Sequence, residues 1–152
     1  MQIIGVGRLK DGPERDLADI YLTRAAPLAR QLGFRGPDEY EVASGGSPGA
    51  EGARLMARIP EGARVWRLDE AGENITSPEL ARRFAGWRDA GQRDFVFLIG
   101  GAEGFSPEVG RAAPQSLSFG AQTWPHRLVR AMLAEQIYRA LTILAGTPYH
   151  KA

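Results

Sequence analysis

The residues with the clearest chemical potential lie where an apolar run breaks at glycines: Asp94-Phe95-Val96-Phe97-Leu98-Ile99-Gly100-Gly101-Ala102-Glu103-Gly104. Five consecutive apolar residues are the length of a strand buried on both faces, as in a parallel sheet covered by helices. The glycines after it let a small molecule approach bare backbone, whose N–H and C=O groups then do the binding. Ligands of open α/β sheets sit at the carboxyl ends of strands, so this turn is expected to form the floor of a site. Two other motifs fail on physical grounds. Gly45-Gly46-Ser47-Pro48-Gly49 spells a hydrolase nucleophile elbow, but the residue after the serine must lend its N–H to an oxyanion hole and Pro48 has none. Gly5-Val6-Gly7 begins a dinucleotide fingerprint whose third glycine would fall at Lys10.

Composition narrows the chemistry further. The chain has 152 residues, 43% hydrophobic and 24% charged, with a net charge of +1. These values fit one globular domain spanning residues 1–152. Cysteine is absent and there are two histidines, so neither a disulfide framework nor a thiolate metal site is expected, and we expect no metal. There is no signal-peptide pattern at Met1–Gly7 and no apolar stretch near the roughly 20 residues of a membrane span, so a cytoplasmic protein with no membrane partner is expected. From Gln115 onward four Lys/Arg stand against one acid, and both histidines, His126 and His150, fall there. That asymmetry is compatible with an anionic partner.

The elements that must position these residues alternate. Strands are predicted at Gln2–Gly7, Asp38–Ala43, Arg64–Asp69, Phe95–Ile99 and Ser116–Phe119. Pro13–Leu32 reads as a helix with an apolar face at Leu17, Ile20, Tyr21, Leu28 and Leu32, which Pro27 should kink or end. Ser44–Gly52 reads as a flexible loop leading to a helix over about 53–59. Thr76-Ser77-Pro78-Glu79 has the spacing of a capping box before Leu80, Phe84 and Trp87. Ser106-Pro107 starts a short helix through Ala113. The longest helical pattern, His126–Ala145, is about 30 Å long and stops at Gly146. The fold class is α/β, with a layered, parallel-type sheet.

Four ordered motifs then carry a family resemblance: Leu98-Ile99-Gly100-Gly101-Ala102-Glu103-Gly104, Thr123-Trp124-Pro125-His126-Arg127-Leu128-Val129-Arg130, Leu133-Ala134-Glu135-Gln136-Ile137-Tyr138-Arg139-Ala140 and Pro148-Tyr149-His150-Lys151. Nearly the whole chain resembles the RlmH group, bacterial 23S rRNA pseudouridine N3-methyltransferases of the SPOUT class. The resemblance implies a C-terminal trefoil knot, a homodimer, S-adenosylmethionine as methyl donor and 23S rRNA in the assembled ribosome as substrate. It places the donor against Leu68, Gly100, Gly101 and the segment Phe119, Gly120, Ala121, Gln122, Thr123 and Trp124. It points to His126, Arg130, Tyr149 and His150 for orientation, proton handling and phosphate contact, with Tyr149 and His150 reaching the partner's site in trans. Ala102 stands where relatives commonly have proline, Trp124 where leucine is frequent, and the 44–52 loop lacks the usual lysines. Two other readings are a SPOUT enzyme acting on a different rRNA or tRNA nucleotide and a dimeric module without catalysis.

Overall fold

A computed structural model describes residues 1–149. Five strands, β1 (Gln2–Val6), β2 (Asp38–Val42), β3 (Arg64–Asn74), β4 (Phe95–Ile99) and β5 (Ser116–Ser118), form one sheet in the order β2-β1-β4-β3-β5. Every pairing is parallel. Central β4 is buried along its whole length, and its side chains alternate between two cores. Phe95, Phe97 and Ile99 enter the larger one with Trp66, Phe84, Leu133, Ile137 and Leu141. Val96 and Leu98 join Ile4, Val6, Leu55 and Val109 on the other side. The period of two and the helical layers on both faces explain why the run reads as continuously apolar.

The helices are α1 (Pro13–Gln31), α2 (Pro48–Met56), α3 (Ser77–Asp89), α4 (Pro107–Ala112) and α5 (His126–Ala145). α1 runs through Pro27 instead of ending there. Thr23 and Pro27 both face solvent, so the carbonyl that loses its donor can bond to water. The expected apolar face of α1 is only partly covered: Tyr21, Leu28 and Leu32 pack against the core, but the fully buried positions are alanines. Ala18, Ala25 and Ala29 are buried, and Ala18 packs with Ala134 of α5. Leu17 and Ile20 remain 41% and 44% exposed. The close approach of two helices at small residues leaves Leu17 and Ile20 facing outward.

Two further expectations change. Residues 44–52 do not form an open loop, because α2 begins at Pro48 with Ser47 as its cap, accepting from the Ala50 N–H at 3.2 Å. Arg54 donates to the Ala43 and Gly45 carbonyls, and Glu51 accepts from the Gly45 N–H at 2.7 Å, stapling the turn to the helix. At α3 only half of a capping box forms. Thr76 accepts from the Glu79 N–H, while the Glu79 carboxylate turns to Arg82 and Arg83.

β3 is longer than its apolar pattern because it is interrupted. Leu68 and Glu73 both register against Leu117, so residues 69–72 bulge away from β5. This excursion carries Asp69 and Glu70 out beside the carboxyl end of β4.

The aromatic centre sets the stability of this scaffold. Phe97 is 1% exposed and lies edge-on to Trp66 and Phe84, with centroids 6.2 and 6.0 Å away. Truncation removes both the transferred area and the contacts lining the resulting void. Phe97→Ala should cost about 3–5 kcal/mol of unfolding free energy, measurable as a lowered urea midpoint.

Candidate functional site

Three strand tips meet at one cavity of about 800 Å³. Its floor is the turn after β4. Gly104, at φ +75°, donates its N–H to the Gly101 carbonyl at 3.1 Å, folding the turn back on itself. A Cβ on Gly100 would come within 3.2 Å of the Gly104 backbone, so a side chain there would push the floor out of place. Beside it, Leu68 and the β3 excursion supply a second wall.

The third wall is the segment leaving β5. The Ser118 hydroxyl donates to the Gly120 carbonyl at 2.7 Å and accepts from its N–H, forming a tight turn. Farther on, the Thr123 hydroxyl donates to the Glu70 carboxylate at 2.8 Å. That hydrogen bond ties the β5 segment to the β3 excursion before the chain enters α5.

The cavity has two electrostatic sides. Asp69, Glu70 and Glu103 line it with carboxylates; His126 and Arg127, in the first turn of α5, line it with a titratable ring and a guanidinium. Arg127 is itself held by the Lys10 carbonyl at 3.1 Å and by Glu14 at 3.4 Å. Partial desolvation, then the nearby Arg130 and Arg127 cations, lower the His126 pKa below its ordinary 6.5. That shift favours the neutral ring, the form able to accept a proton.

Of the residues assigned to donor binding from the sequence, Leu68, Gly100, Gly101, Phe119, Gly120, Gln122, Thr123 and Trp124 all line this cavity. Ala121 belongs to the same segment but not to the lining. His126 is in the wall. Arg130 lies outside the lining of this cavity. It is 2% exposed, and its guanidinium donates to Glu41 and to the Val6 and Gly7 carbonyls at the ends of β1 and β2. Both of its terminal nitrogens are thus engaged inside the protein, while its Nε is buried without a hydrogen-bond partner. Tyr149 also lies outside the cavity. Its hydroxyl donates to Glu135 at 3.1 Å and lies 3.5 Å from that of Tyr21, with the Arg139 guanidinium 5.0 Å from its ring centroid. Desolvation and these two partners push its phenol well above the usual pKa. His150 lies outside the described residues.

Asp69, Glu70, Glu103 and Arg127 line the cavity without having been singled out from the sequence. Glu103 was in plain view within the glycine turn. Asp69 and Glu70 reach the site because of the β3 bulge, which strand periodicity does not reveal.

The description "Predicted SPOUT methyltransferase" belongs to the family model that matches residues 1–150. The chain belongs to the SPOUT methyltransferase family. Within it the chain is 71% identical over 152 residues to ribosomal RNA large subunit methyltransferase H of Hyphomonas neptunium, covering all of this chain and 99% of that protein. Proteins of the same name from Nitrobacter winogradskyi and Ruegeria pomeroyi are 52% and 51% identical, covering 98% and 99% of this chain and 97% and 98% of theirs. These identities place it in the RlmH group. Among solved structures, the SpoU methyltransferase AviRb of Streptomyces viridochromogenes, in complex with AdoMet, matches 97% of this chain and 58% of its own at 13% identity, with a TM-score of 0.44. The parallel sheet, with β5 joined to β3 and followed by α5, is consistent with the knotted SPOUT α/β fold.

The histidine's setting is measurable. In an NMR titration His126 should have a pKa below 6.5, and Arg127→Gln, which removes one cation, should move it upward. An unchanged value in the variant would exclude Arg127 as a cause of the shift.

Proposed function

We propose that this protein methylates N3 of a pseudouridine in 23S rRNA, using S-adenosylmethionine and acting on the assembled ribosome. The observation carrying the reading is the slot of bare main chain at three neighbouring strand tips in a SPOUT chain. The names of the full-length relatives support the choice of large-subunit rRNA. A weakly charged chain, at net +1, favours a preassembled particle over naked RNA, because phosphate contacts dominate affinity for the latter.

The residues present fit the donor. The cavity volume lies within the range of about 300–1,000 Å³ usual for small-molecule sites. Backbone at Gly100, Gly101 and residues 119–124 can hold the adenosine moiety, and the carboxylates of Asp69, Glu70 and Glu103 suit ribose hydroxyls and the cationic end of the molecule. When bound, the donor supplies an activated sulfonium methyl group. The protein's work is then to hold the base's N3 in line with that carbon and to remove the N3 proton. In this reading His126, whose setting favours the neutral ring, takes the proton, and Arg127 contacts a phosphate.

The working unit in this reading is a cytoplasmic homodimer of single-domain chains. The exposed Leu17 lines a groove of about 500 Å³ between α1, α3 and α5, together with Leu128 and Met132. An apolar groove of this kind is suited to a second subunit. Tyr21 and Glu135, the partners of Tyr149, line the same groove. The tail thus begins beside the proposed dimer face, which supports a role for Tyr149 and His150 in the partner's site. No helix among the described residues is long and apolar enough to cross a membrane. Among those residues no group of three or more His, Cys, Asp or Glu is arranged to hold a metal.

Mass mapping of rRNA from a deletion strain should show loss of one methyl group from a single 23S pseudouridine, restored by the wild-type gene. An unchanged 23S pattern, with a methyl lost from tRNA or another rRNA position, would redirect the assignment. In calorimetry, Gly100→Val should abolish donor binding; retention of wild-type affinity would refute the drawn slot.

A further inference from the structure

Arg130 is a large, fully buried cation that the proposed chemistry does not use, and Gly5-Val6-Gly7 is a motif that no cofactor claims. The structure joins them. Along β1, Ile3 and Gly5 face the α5 side of the sheet while Ile4 and Val6 face the other core. A Cβ on Gly5 would lie 2.5 Å from the Arg130 Nη2 and 2.6 Å from its Cζ. The missing side chain is therefore the slot in which the guanidinium rests.

From that slot Arg130 reaches Glu41 at 2.8 Å and the Val6 carbonyl at 2.9 Å, with the Gly7 carbonyl as a third acceptor. Glu39 is 3.6 Å away. Glu41 also accepts the Leu9 N–H at 2.6 Å. One side chain of α5 thus binds the ends of β1 and β2 together with the start of the β1–α1 connection. Farther along, α5 packs through Leu133, Ile137 and Leu141, with Gln136 accepting from the Ser77 hydroxyl at 2.7 Å, and in its first turn Arg127 adds an exposed bond to the Lys10 carbonyl. Apolar contacts of that kind are non-directional, whereas charge-assisted hydrogen bonds fix orientation. His126 lies one helical turn before Arg130, and residues 119–125 run directly into it.

We propose that Arg130 is a positioning residue: seated over Gly5, it fixes the first turn of α5, and so sets His126 and the 119–125 wall against the glycine floor. The inference rests on the methyltransferase reading of that cavity. Methyl transfer is sensitive to such placement, since an error of about 1 Å can cost on the order of a hundredfold in rate.

The test uses the full-length protein and ribosomes from the deletion strain, in single-turnover methylation at saturating donor and below each variant's thermal midpoint. Gly5→Ala, which evicts the guanidinium without removing it, and Arg130→Lys should each slow the step by about tenfold to a hundredfold. Because both break one arrangement, the double variant should be no slower than the slower single variant. A merely structural role would lower the midpoint and leave the rate unchanged. A wild-type rate in either folded variant, or effects that multiply, would overturn the proposal. If neither variant folds, Glu41→Gln decides: a several-fold slower rate supports the brace and an unchanged rate removes it. Failure of wild-type protein to methylate ribosomes would instead defeat the underlying functional reading.

Discussion

The constraint on which this structure depends is the burial of β4 on both faces. A strand with no polar face has to lie in the middle of a parallel sheet with helices on either side. Its carboxyl end is then flanked by those of β1 and β3. Gly100–Gly104 consequently opens among neighbouring strand tips and not at an edge. The cavity is a result of topology before it is a result of any particular side chain.

Main chain and side chains divide the work around that cavity. Backbone at Gly100, Gly101 and the 119–124 segment forms the floor and one wall. Side chains in and behind the lining hold those pieces still. Ser118 shapes the turn after β5 and Arg130 secures the helix that follows, while Thr123, itself in the lining, ties the wall to Glu70. Arg130 shows how a residue in a chemically suggestive motif can act from behind the site, with its charge satisfied by Glu41 and carbonyls.

Much of this was legible in the chain because the signals were local. Five apolar residues ending at glycine located the central strand and the floor, and the three- and four-residue spacing from Leu128 to Leu144 gave α5 its observed bounds. What was hidden depended on partners distant in sequence. The outward turn of Leu17 and Ile20 follows from Ala18 meeting Ala134, and the exposure of Asp69 and Glu70 from a register shift against Leu117. Arg130 entered the candidate set through its place in a motif that carries the family resemblance. Only the sheet shows that Gly5, on the opposite end of the chain, had left a space for it. Pro27 does not end α1, and the carbonyl of Thr23 that it leaves without a donor faces solvent, which lowers the cost of the lost bond.

The backbone construction of the floor has a consequence for how such a protein can diverge. A grip made of amides and carbonyls is indifferent to the identity of most residues that supply them. Ala102 and Trp124 can therefore replace the more usual proline and leucine without dismantling it. Rim side chains can be reshaped for a new nucleic-acid surface, while a side chain at Gly100 would displace the floor. Donor recognition and target recognition can evolve at separate rates within one small chain.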